Sequence, residues 1–114
     1  MTVKQMTDSD KAVILQCLEY IYVSDEVEEP EFRTRLGITR PEMKSIIDKW
    51  PDVEDASTWS DAELAINNSM VEVCYGIDIA TDRWARSFSV PKSEVERIYK
   101  RWSTMRGHSP GGIR

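Results

Sequence analysis

Two thiols, Cys17 and Cys74, and one imidazole, His108, are the side chains best suited to nucleophilic or metal chemistry in this 114-residue chain. A nucleophilic cysteine needs a base beside it. The only histidine lies in the tail "RGHSPGGIR", while both cysteines fall inside helical patterns. They are read as buried free thiols, and their spacing gives no support to a disulfide. The run "DEVEEPE" supplies Asp25, Glu26, Glu28, Glu29 and Glu31. Hard cations take several oxygen ligands, but this run lacks the alternating Asp-x-Asp-x-Asp-Gly layout of a calcium loop. Acidic side chains ahead of a helix are favoured by its dipole, so a solvated capping role is expected. There is no metal-ligand spacing, no phosphate loop and no nucleophile–base pair. An enzyme would have to build its site from Asp, Glu and Arg alone. No catalysis, cofactor or metal is expected.

Cationic chemistry is the remaining candidate. The net charge is −5, with 31% charged and 40% hydrophobic residues, a balance suited to a soluble globular chain. That total hides a polarity. Residues 1–82 carry 7 Lys/Arg against 18 Asp/Glu, or −11, and residues 83–114 carry 8 against 2, or +6. A basic end on an acidic body can neutralise the body, within one chain or between copies, or meet a polyanion.

The elements that must position these charges are helical. Helix 1 opens near Asp8–Ser9 and shows Ile14, Cys17, Leu18 and Ile21 at i, i+3, i+4, i+7 spacing. Pro30 suits an early position of helix 2, and Gly37 suits its C-cap. Thr39 and Glu42 can form a capping box for helix 3, whose stripe is Met43, Ile46, Ile47 and Trp50, stopped by Pro51. A second capping box, Ser60 to Glu63, opens helix 4, which runs to about Tyr75 with Gly76 as its stop. Helix 5 is short and centred on Trp84. Helix 6 carries Val95, Ile98, Tyr99 and Trp102 on one face. No stretch has the alternation of a strand.

The second half repeats the first at an offset of 52. Phe32 falls on Trp84, Leu36 on Phe88, Ile38 on Val90, Glu42 on Glu94, Ile46 on Ile98 and Trp50 on Trp102. Upstream, Ile14, Leu18, Ile21 and Val27 fall on Ile66, Met70, Val73 and Ile79. The expected fold is therefore all-α, six helices in two pseudo-repeated three-helix units. Residues 1–53 form the first unit, 54–59 the linker, 60–106 the second unit and 107–114 a flexible tail. One compact domain sharing a single core is the alternative arrangement.

Each copy resembles a helix-turn-helix motif. The first places Phe32, Leu36, Gly37, Ile38, Met43 and Ile46 at the motif's inner positions, and the second places Trp84, Ala85, Phe88, Val90, Val95 and Ile98 there. Arg33 stands where the motif wants a small residue, and Ser89 stands where it wants the turn glycine. The resemblance implies that the second helix of a unit would enter the major groove with its outward residues. In the first copy these are Thr39, Arg40, Lys44 and Ser45, next to the acidic run that repels phosphate. In the second they are Lys92, Ser93, Glu96 and Arg97, then Lys100 and Arg101, with Arg83 and Arg86 close by. The DNA-binding candidates are thus Arg83, Arg86, Lys92, Ser93, Arg97, Lys100 and Arg101, on a helix at about 92–105.

Three residues stand outside this pattern. Asn67 and Asn68 sit mid-helix, where their side chains compete for the backbone. They read either as a buried hydrogen bond that fixes packing or as a polar contact for a partner. Trp59 stands one residue before the expected cap, to staple the helix start or to meet a partner. The leading expectation is a non-enzymatic regulatory or adaptor module that binds protein, either another protein or a second copy of itself. The alternative is a DNA-binding regulator using the basic second copy. The N-terminus "MTVKQMTDSD" has no apolar core of a signal peptide and no run spans a bilayer, so a cytoplasmic protein without a membrane partner is expected.

Overall fold

The computed structural model describes residues 3–55 and 57–105. His108 and the tail at 107–114 lie outside the described residues. The described chain is helical: after a short 3₁₀ turn at Val3–Gln5 come α1 (Asp8–Val23), α2 (Glu29–Leu36) and α3 (Arg40–Lys49). They are followed by α4 (Trp59–Val71), α5 (Thr81–Ser87) and α6 (Lys92–Met105). A π turn, Glu72–Gly76, continues α4. There is no strand among the described residues.

Local chemistry sets most of these boundaries. Thr39 Oγ1 accepts from the Glu42 N–H at 3.3 Å, and Glu42 Oε1 accepts from the Thr39 N–H at 2.8 Å. This reciprocal pair is the expected capping box. Those bonds to Thr39 hold the Glu42 carboxyl below its ordinary range. Gly37 ends α2 with φ +83°, a left-handed conformation that favours glycine. Its N–H donates to the Arg33 carbonyl at 2.8 Å.

Two expected starts are corrected. Thr7, not Asp8 or Ser9, caps α1, because its extended backbone lets Oγ1 accept from the Asp10 N–H at 3.0 Å. The box from Ser60 to Glu63 does not open α4. That helix starts at Trp59 behind Thr58, which makes no side-chain cap. Asp55 shapes the turn instead, accepting from the backbone N–H groups of Ser57 at 3.0 Å and Thr58 at 2.9 Å. An Asp that bonds the backbone two and three residues on builds a turn of its own and outcompetes the cap. Lys49 and these bonds push the Asp55 carboxyl far below its ordinary range.

The core is drawn from both halves. Ile14, Leu18 and Ile21 of α1, Phe32 and Leu36 of α2, and Met43 and Ile46 of α3 are buried. They join Ala62, Ile66 and Met70 of α4 and Val95, Ile98 and Trp102 of α6 in one cluster. Helices α1 and α4 form the central pair. Helices α2 and α3 pack on α4, and α6 packs on both α4 and α1. Burying this apolar surface is the main favourable contribution to the fold. The Cα radius of gyration is 13.0 Å, the value expected of about 100 compact residues.

Helices α2 and α5 start at Glu29 and Thr81, and α3 and α6 at Arg40 and Lys92, each pair 52 positions apart. The halves are nonetheless packed differently. Phe32, Val27 and Ile38 are buried, while Trp84, Ile79 and Val90 are half-buried. Helix α5 itself contributes no buried residue. The two turns also differ. Gly37 is the only described residue with positive φ, and Phe88 closes α5 in extended conformation. Ser89 therefore occupies a turn that needs no left-handed residue. Gln16 holds that turn from α1: its side-chain carbonyl accepts from the Ser89 N–H at 3.0 Å, and its amide donates to Ser89 Oγ at 3.0 Å. Trp84 closes it from within, donating through Nε1 to the Val90 carbonyl at 2.8 Å.

Candidate interaction surface

The sequence placed seven residues on a basic face, and the fold ties its four arginines to acids of the same chain. Arg83 reaches back to Glu26 at 3.3 Å and Asp25 at 3.9 Å. Glu26 also accepts from the Tyr20 hydroxyl. Burial, then Glu26, raise the Tyr20 phenol above its ordinary pKa. Arg86 pairs with Asp82 at 3.4 Å. Arg97 donates through Nε to Glu94 at 3.0 Å and lies 3.3 Å from Asp10. Arg101 lies 3.6 Å from the other oxygen of Asp10. Asp10 is only 3% exposed. It acts as the buried anion on which two arginines of α6 converge from α1. Lys92, Ser93 and Lys100 are exposed.

Arg40, an outward residue by the helix-turn-helix resemblance, does not face outward. Its guanidinium lies over the Phe32 ring, donates to the Tyr22 and Val27 carbonyls, and pairs with Glu29 at 2.9 Å. It ties the start of α3 to the last turn of α1 and to the loop that follows.

The polar candidates of α4 also point inward. Asn68 donates through Nδ2 to the Leu36 carbonyl at 2.8 Å, satisfying an orphan acceptor at the end of α2. Asn67 Oδ1 accepts from Trp102 Nε1 at 3.3 Å. These geometries match the packing reading of the pair. Trp59 is half-buried at the start of α4. It packs edge-on against Trp102 with centroids 6.3 Å apart. The three interaction candidates thus serve the contact of α4 with its neighbours.

Both thiols are buried. Burial, then proximity of Glu96, pushes the Cys74 thiol up to about 12, and burial followed by the nearby Cys74 raises Cys17 as well. A thiol so raised stays protonated and is a poor nucleophile at neutral pH. Among the described residues no group of three or more His, Cys, Asp or Glu is placed to hold a metal ion. No helix there is long and apolar enough to cross a membrane.

An open groove of about 420 Å³ lies between α1 and α3. Gln16, Glu19, Tyr20 and Val23 form its α1 wall, at i, i+3, i+4, i+7 spacing. Lys44, Ile47 and Asp48 form the α3 wall, and Ser87 closes one end. Val23 is 75% exposed, the most exposed large hydrophobic residue described. It forms a ridge, because it also borders a second hollow with Ser24, Asp25, Arg83 and Arg86. The first groove has an acidic rim of Glu19 and Asp48, with Lys44 bound to Asp48 at 2.8 Å. The second hollow carries the arginines. Sequence reasoning missed this face. Its signal was "EYIYV", where Tyr20 and Val23 add apolar surface beyond the stripe of Ile14, Cys17, Leu18 and Ile21.

No family model, curated protein or solved structure matches the chain.

Proposed function

We propose that the protein is a non-enzymatic regulatory or adaptor module that acts by binding protein, through the face centred on Val23. The observation that carries this reading is that ridge: a mostly exposed valine between an apolar groove and a charged hollow. Exposed apolar ridges rimmed by charge are common at protein interfaces. The chemistry of the thiols supports a non-catalytic role.

The rival reading is DNA binding through α6 as the reading helix of a second helix-turn-helix unit. The 52-residue spacing of the helix starts supports the two-unit reading. The exposed Lys92 and Lys100 support contact with phosphate. Against it, Arg97 and Arg101 are already held by Asp10, and Arg83 by Glu26. Releasing them to phosphate would leave Asp10 as a buried, uncompensated charge, which is costly.

A titration of fluorescent duplex DNA at low salt, repeated as salt is raised, separates the two. The protein-binding reading expects no salt-dependent binding. Affinity that falls with salt, and that disappears in the Lys92→Glu, Lys100→Glu double variant with its helical signal intact, would install the DNA reading instead.

A further inference from the structure

The face around Val23 is complementary to itself, and we infer that its partner is a second copy of this chain. This inference deepens the protein-binding reading above and rests on it. A contact about a two-fold axis uses the same patch twice, so the patch must hold both halves of every interaction. This one does. The Val23 ridge is a knob, and the groove beside it, floored by Tyr20 and Ile47, is a hole. Two copies turned about an axis beside the ridge seat each valine in the other's groove.

The charges match under the same operation. Glu19 lines the groove beside Asp48 and its partner Lys44, and Arg83 and Arg86 line the other hollow beside Asp25. Arg86 of one copy would then pair with Glu19 of the other, twice. Both groups can exchange partners readily. Glu19 makes no ion pair among the described residues. The bond from Arg86 to Asp82 spans 3.4 Å between side chains that are 67% and 78% exposed, and such surface pairs contribute little. The α6 arginines have no such freedom, because Asp10 holds them from beneath. The acidic body and basic end therefore meet at one face.

Sedimentation equilibrium of the full chain tests this at high protein concentration and low salt. The expected mass moves from one chain toward two as concentration rises, and back as salt is added. Val23→Asp keeps the helical signal and stays at one chain. Glu19→Arg alone, or Arg86→Glu alone, weakens pairing by about tenfold or more. The two reversals together restore it, which a loss of folding could not do. A strict single-chain mass for the unaltered protein overturns the proposal, as does a double reversal no tighter than either single one. Such a result leaves the wider reading to be judged by the DNA titration, whose readout is independent.

Discussion

The guanidinium carbon of Arg40 lies 4.4 Å from the centre of the Phe32 ring. One residue of α3 is thereby bound to the face of a buried ring on α2. The same guanidinium bonds the Tyr22 carbonyl in the last turn of α1 and the Val27 carbonyl of the loop before α2. Arg40→Ala removes these bonds together and is expected to cost about 2–3 kcal/mol. Arg40→Lys recovers only part of it, because an ammonium cannot span both carbonyls and the ring in one plane. Urea denaturation reads this as a lower midpoint at unchanged slope.

Asn68 acts from α4 on the last turn of α2. Asn68→Ala leaves the Leu36 carbonyl without its donor and is expected to cost about 1–2 kcal/mol. Thr39→Ala, which dismantles the capping box of α3, is expected to cost about 1 kcal/mol. Both act on the α2–α3 turn, at Leu36 and Thr39, so the double variant is expected to depart from the sum. Thermal melts of the four proteins check it.

The two turns respond differently to the same change. Gly37→Ala forces an L side chain into φ +83° with its Cβ 3.3 Å from Leu64, and about 1 kcal/mol is lost. Ser89→Gly gives no gain, because Ser89 has no positive φ to relieve. It removes the hydroxyl that Gln16 grips, and so lowers stability slightly. A gain in the melting temperature of Ser89→Gly would contradict the contrast between the turns.

The thiols give a pH signature. Burial pushes the folded Cys74 thiol up to about 12 from an ordinary value of 9.0. Above the ordinary value the unfolded chain releases its proton while the folded chain keeps it. The stabilising contribution is thus full below about pH 9 and is lost as pH rises toward 12. Denaturation midpoints measured across that range are expected to fall. A thiol reagent at neutral pH is expected to label Cys17 and Cys74 only at the rate of unfolding.

What the sequence made legible was local. Thr39 and Glu42 are three residues apart, Gly37 directly follows its helix, and the stripe from Ile14 to Ile21 spans two turns. Each of those outcomes depends on neighbours along the chain. Arg40 was misread because its acceptors lie 18 and 13 residues back. The grip of Asp10 on Arg97 crosses 87 residues, and nothing local in "TDSDK" marks that aspartate for burial. The groove could not be read at all from one helix, since α1 and α3 each supply a wall.

The central claim is that the Val23 face meets protein. Its most direct measurement places a photo-crosslinking side chain at position 23 or at position 100 in living cells. A discrete protein adduct is expected from position 23, abolished by Ile47→Asp, with no nucleic-acid adduct from position 100. Nucleic acid captured at position 100, with no protein captured at position 23, would contradict it.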